Sequence, residues 1–130
     1  MAYQNILVPV DGSETSFAAV AKAAELAKAF GSKITVVQVL TLDPYIAAEY
    51  ITANQTNDLI ERARASIVKT LEEAKQKFTE QGVEAETKLL EGQVIAREIT
   101  NAAKELNADL IVIGSHGRTG LKKLFLGSVA

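Results

Sequence analysis

The amino-acid sequence predicts an α/β fold, an open parallel sheet with helices on both faces. Three observations predict it. Short apolar runs alternate with amphipathic stretches in the order βαβαβαβ, glycines follow the amphipathic stretches as helix stops, and the run Leu110-Ile111-Val112-Ile113 is unbroken, as in a strand covered on both sides. Right-handed crossovers through the helices make such strands parallel. The chain has 130 residues, 48% of them hydrophobic, which is enough for one domain with its own core.

Residues 5–10 (Asn-Ile-Leu-Val-Pro-Val) are an apolar run closed by Asp11-Gly12-Ser13, residues suited to a turn and a helix cap, so strand, loop and helix follow one another. From Ser13 to Phe30, the residues Phe17, Val20, Ala24 and Ala27 form one stripe at helical spacing, and Gly31 ends it. Lys33 to Leu40 is rich in β-branched residues and reads as the second strand. Residues 41–57, with Pro44, Tyr45 and Tyr50, read as a long connection with room for a helical piece. Ala63, Ile67, Leu71, Ala74 and Phe78 then keep helical spacing within a helix over 58–81, stopped at Gly82. Val83, Ala85, Thr87 and Leu89 alternate with Glu84, Glu86, Lys88 and Leu90, a strand with one wet face that suits a sheet edge. Glu91-Gly92 is a turn, and Ile95, Ile99, Ala102 and Leu106 mark a third helix leading to the fourth, central strand.

Composition excludes several classes of function. Fourteen basic and sixteen acidic residues give a net charge of −2 with no basic stripe, so neither nucleic acid nor an anionic membrane finds an electrostatic footprint. There is no cysteine and one histidine, His116, which leaves no thiolate site and no imidazole cluster for a metal. The first residues lack a positive segment followed by an apolar one, and no run is long enough to span a bilayer. A cytoplasmic protein with no membrane insertion is expected.

The chemistry-bearing segment follows the fourth strand. Gly114, Gly117 and Gly120, with Gly127-Ser128 further on, leave a buried strand at the end of the sheet where open α/β folds bind ligands. Glycines let backbone N–H groups approach an anion, so the segment reads as a phosphate cradle with a helix beginning at Gly127-Ser128; glycines that only make tight turns are the other reading. Neither G-x-x-x-x-G-K-[ST] nor G-x-G-x-x-G is present. Arg118, Lys122 and Lys123 either neutralise a triphosphate or form a solvated face. His116 reads as a surface residue before a catalytic one, and Tyr45 and Tyr50 as loop packing before a cover over a ligand. Asp11 can cap the first helix, accept hydrogen bonds from ribose hydroxyls, or do both.

The spacing of Gly114, Gly117 and Gly127-Ser128 resembles the ATP-binding motif of the universal stress protein family. So do Ile6-Leu7-Val8-Pro9-Val10-Asp11-Gly12-Ser13, Val39, Glu91-Gly92 and the run from Ala108 to Gly117, which together extend over nearly the whole chain. The resemblance implies an adenine nucleotide alpha hydrolase-like fold with strand order 3-2-1-4(-5). It places Pro9, Val10, Asp11 and Val39 around adenine and ribose, Ile113 and Gly114 beside the nucleoside, and Gly117, Gly127, Ser128 and Val129 at the phosphates. It further implies ATP with Mg²⁺ or Mn²⁺ held by the phosphates, a homodimer, and a regulatory, stress-response role. A slow ATPase or phosphotransferase and a nucleotide-free dimerisation module are the alternatives. Since residues 127–130 offer only the start of a helix, 1–130 is expected to be a single domain lacking its C-terminal helix and fifth strand, roughly 10 to 20 residues of tail.

Overall fold

The computed structural model describes residues 4–40, 53–92, 94–116 and 122–128. In chain order they form β1 (Asn5–Pro9), α1 (Glu14–Phe30), β2 (Lys33–Leu40), α2 (Ala53–Glu80), β3 (Ala85–Glu91), α3 (Ile95–Glu105), β4 (Leu110–His116) and β5 (Lys122–Ser128). One sheet runs β3-β2-β1-β4-β5. The β1–β2, β2–β3 and β1–β4 pairs are parallel, as expected, and β5 returns antiparallel along β4.

Alternation along the strands divides the core into two layers. Ile6 and Val8 of β1, Ile34 and Val36 of β2, and Leu110 and Val112 of β4 point to the side covered by α1 and α2. Leu7 and Val37 point to the opposite side, where Ile99, Ala102 and Ala103 of α3 cover them. Small residues Ala19, Ala23 and Ala27 let α1 lie close on the sheet, and α2 contributes Ile67, Leu71, Ala74 and Phe78 at spacings of three and four.

Local signals fix the ends of α1 where the sequence places them. Ser13 caps α1 by accepting from Ser16 N at 3.2 Å, and Gly31 ends it at φ 66°, in the left-handed region that glycine enters without steric cost. At the amino edge, the Asp109 carboxylate accepts from Gln4 N at 2.8 Å and Asn5 N at 2.9 Å, tying β1 to the start of β4. Those two bonds stabilise the charged form and hold its pKa below the ordinary aspartate value.

Several sequence expectations are corrected. The helix expected over 58–81 begins at Ala53, because the polar run Asn54-Gln55-Thr56-Asn57 belongs to the helix rather than the connection. Leu90, placed on the wet face of β3, is buried against Val37 and Ile99 because α3 crosses that end of the strand. Ile95, placed in the apolar stripe of α3, is 53% exposed. The fourth strand runs on to His116, and Gly114, Ser115 and His116, read as loop, are paired with Leu124, Lys123 and Lys122. The helix start expected at Gly127-Ser128 is the end of β5 instead. A bare β4 edge leaves a row of backbone donors and acceptors unpaired, and the segment 122–128 supplies their partners.

Candidate functional site

Sheet order places a crevice before any side chain is considered. From β1 the chain steps outward through β2 to β3, then returns to the other side of β1 as β4. Connections diverging from such a reversal leave an opening beyond the carboxyl ends of the two strands. Ile6 is level with Leu110 and Leu7 with Ile111, so along the same parallel register Pro9 and Val10 come level with Ile113 and Gly114. Val10 N donates to Val37 O at 2.8 Å, and Val39 stands two residues further along β2. Pro9, Val10, Asp11, Val39, Ile113 and Gly114 therefore share one end of three adjacent strands. Pro9 and Val10 are buried, Val39, Ile113 and Gly114 half-buried, and Asp11 exposed.

The β1–α1 turn is built from its own polar groups. Asp11 Oδ1 accepts from Ser13 N at 2.9 Å, and Ser16 Oγ donates to Ser13 O at 2.9 Å. Gly12 takes φ 85°, and a Cβ there would lie 3.5 Å from Thr70 Oγ1, so the turn rests against α2. The result aims the amino end of α1, with its partial positive charge, at the crevice mouth. Asp11 thus braces the turn, while the cap of α1, a role the sequence also offered to Asp11, is Ser13.

Gly114 has a packing reason to be glycine. A Cβ at this position would lie 2.2 Å from Thr15 O and 2.8 Å from Thr15 Cγ2, so β4 touches the first turn of α1 backbone to backbone. Thr15, 2% exposed, forms that contact. The sequence does not single it out, because the contact joins residues almost a hundred positions apart and leaves no local pattern. Gly114 makes no tight turn, the other reading of these glycines: it lies within β4, and its want of a side chain serves the close approach of α1.

Gly127 and Ser128 are not brought to the crevice. They pair with Ile111 and Leu110, at the amino end of β4, while Asp11 and Gly114 lie at the other end. Gly117 and Val129 fall outside the described residues, as do Arg118, Gly120, Tyr45 and Tyr50. A separate groove of about 1310 Å³ lies at the amino end of the sheet, lined in part by Lys28, Lys33, Lys75, Thr79, Glu84 and Glu86. It follows the carboxyl ends of α1 and α2, whose partial charge is negative, and Lys33 is paired with Glu86 at 3.4 Å, so it does not favour an anion. The crevice at the reversal is the candidate site.

No helix among the described residues is long and apolar enough to cross a membrane. The universal stress protein family model matches residues 2–130. A universal stress protein of Methanocaldococcus jannaschii is 36% identical over 129 residues, covering 98% of this chain and 74% of that protein. A crystal structure from the same family of Burkholderia pseudomallei superposes with a TM-score of 0.76 at 30% identity, covering 88% of this chain and 83% of that one. The universal stress protein of Archaeoglobus fulgidus in complex with dAMP superposes with a TM-score of 0.60 at 27% identity, covering 87% of this chain and 82% of that one. With the sheet order, the capped β1–α1 turn and the matched length agreeing, this chain belongs to the universal stress protein family.

Proposed function

We propose that the chain is an adenine-nucleotide-binding regulatory protein that takes ATP in the crevice at the carboxyl ends of β1 and β4. The observation that carries this reading is the convergence of Val10, Asp11, Val39, Ile113 and Gly114 at the point where strand order reverses. The dAMP complex of the A. fulgidus relative supports the adenylate class. Val10, Val39 and Ile113 offer an apolar seat for a base, and the exposed Asp11 carboxylate accepts from ribose hydroxyls. The amino end of α1 lends positive potential to the phosphates. The sequence motif implies phosphate contacts at Gly117, Gly127, Ser128 and Val129, but Gly127 and Ser128 pair with the amino end of β4, so the amino end of α1 carries the phosphate contact in this reading.

Among the described residues no three His, Cys, Asp or Glu side chains gather where they would hold a metal. A Mg²⁺ or Mn²⁺ ion accompanying ATP in this reading takes its ligands from the triphosphate and water, a habit of Mg²⁺ in nucleotide sites. Binding then biases a conformation or a homodimer, and turnover is slow or absent.

Calorimetric titration of nucleotide-free protein with ATP, AMP and GTP, each with Mg²⁺, tests the reading. Adenylates should bind more tightly than GTP, and ATP at a hundred times its Kd should stabilise the fold by about 2.7 kcal/mol. No heat and no melting shift with any adenylate refutes it.

A further inference from the structure

Among the described residues, β3 is paired along one edge only. That inner edge meets β2 at seven successive positions, from Ile34–Ala85 to Leu40–Glu91, with no bulge between them. The strand Ala-Glu-Thr-Lys-Leu-Leu-Glu contains neither proline nor glycine. Its outer edge is therefore a regular row of backbone donors and acceptors. Proteins guard such edges with bulges, prolines or charges, and β3 has only the charges.

Those charges are self-complementary. Glu86 and Lys88 are exposed, lie on one face of the strand and flank the exposed Thr87. When two β3 strands meet antiparallel about a two-fold axis at Thr87, each Glu86 faces the partner's Lys88. On the other face, Ala85 and Leu89, both packed into the core beneath α1 and α2, come opposite one another across the axis. Moving the axis to Glu86 or to Lys88 sets that residue against its own copy, which opposed like charges disfavour. Intrachain pairs extend the match, since Lys33 Nζ is 3.4 Å from Glu86 Oε1 and Lys88 Nζ is 3.3 Å from Glu105 Oε2. Across the axis the row runs Lys33, Glu86, the partner's Lys88 and the partner's Glu105, alternating in sign. An isolated surface pair contributes little, and such a network contributes more.

We infer that β3 is a self-association edge: two copies of this chain join antiparallel along β3, in the register that sets Glu86 against Lys88, and make one continuous sheet. The contact closes on itself, because the same patch serves both copies. It needs no nucleotide and uses no residue of the crevice. One ladder of seven residues buries little surface, so the association is weak, reversible and further weakened by salt.

The chain has no cysteine, so Thr87→Cys reports on this contact alone, whatever other surfaces associate. Residues opposed in an antiparallel ladder have Cα atoms about 4.5 to 5.5 Å apart, within the range a disulfide bridges. Mild oxidation of Thr87→Cys at low salt should give a covalent dimer. Adding Glu86→Lys or Lys88→Glu sets like charges against each other twice, and either should slow the cross-linking at least about tenfold. An equimolar mixture of the two double variants should recover it as a mixed dimer, recognised by mass, because lysines of one then face glutamates of the other at both positions. Intrachain effects beside Lys33 and Glu105 are the same in the mixture as in each variant alone, so they do not produce that recovery. No dimer from Thr87→Cys, no slowing by the charge reversals, or no recovery in the mixture overturns the inference. Should a variant not fold, hydrogen exchange on the unmodified chain decides: protection of amides 85–91 should rise with protein concentration at low salt, and protection independent of concentration overturns the inference.

Discussion

Replacing Gly114 by alanine should destabilise the nucleotide-free protein, because the added methyl has no room. Its carbon would stand 2.2 Å from the Thr15 carbonyl oxygen, and 3.0 Å is the least that real contacts show, so β4 and α1 must part by about 0.8 Å. Thr15 cannot yield alone, since it is 2% exposed and its carbonyl belongs to the first turn of α1. Overpacking of this kind costs about 1–3 kcal/mol, and a backbone clash belongs at the upper end. Gly114 is not among the positive-φ residues, so alanine restricts the unfolded chain without native strain and returns about 0.4–1 kcal/mol. The net loss is about 2 kcal/mol. At about 2.1 cal/mol/K per residue for a chain of 130 residues, the melting midpoint should fall by about 7 °C. Gly31→Ala is the control: nothing lies within 4 Å of a Cβ there, so it carries only the left-handed backbone cost of about 1–2 kcal/mol at φ 66°. Urea and thermal unfolding of both variants without nucleotide measure the two terms. An unchanged midpoint for Gly114→Ala would refute the close α1–β4 approach.

The remaining predictions concern the core, the amino edge and catalysis. Phe78→Ala should lose about 3–5 kcal/mol in urea unfolding, because Phe78 is 0% exposed beneath α2 and its removal leaves a cavity; a loss below about 1 kcal/mol contradicts that packing. Asp109 has a folded pKa below its unfolded value, so its contribution is complete above the ordinary aspartate range and is lost as pH falls through the folded pKa. Asp109→Asn should therefore flatten the acid limb of the stability profile while leaving its alkaline limb in place, and an unaltered acid limb argues against the bonds to Gln4 and Asn5. Phosphate release from ATP by the purified protein should stay well under the roughly 1–10³ s⁻¹ typical of enzymes, and turnover in that range, abolished by Asp11→Ala with binding retained, replaces the regulatory reading with an enzymatic one.

Local chemistry is what the sequence makes legible. Ser13 and Gly31 mark the ends of α1, β-branched residues mark β2, and the spacing Ile67, Leu71, Ala74, Phe78 marks the buried face of α2. These signals depend on neighbours within a turn or two, so a one-dimensional reading captures them. The parallel direction of β1 to β4 is legible for a related reason: helices between strands force crossovers, and the charged residues Glu84, Glu86 and Lys88 suit β3 to an edge, while the order β3-β2-β1-β4 is implied by the family resemblance. Asp11 is legible as a turn residue at a strand end, and the structure realises that part through Ser13 N.

Tertiary structure alone decides the rest, because it turns on pairs distant in sequence. Leu90 is buried only because α3 crosses it, and nothing in the alternation around β3 announces that helix. Gly114 matches a ligand motif and a packing contact equally well until Thr15, ninety-nine positions earlier, is found against it. Lys122 to Ser128 carries apolar residues and glycine that suit a strand or the threshold of a helix. An unpaired β4 edge tips it to a strand, and the antiparallel register then sends Gly127 and Ser128 away from the crevice. Local residue patterns carry the elements up to β4 and the end of the sheet where the candidate site lies; the path of the chain after β4 is left to the pairing of strand edges, since backbone hydrogen-bond demand is met across the sheet and not along the chain.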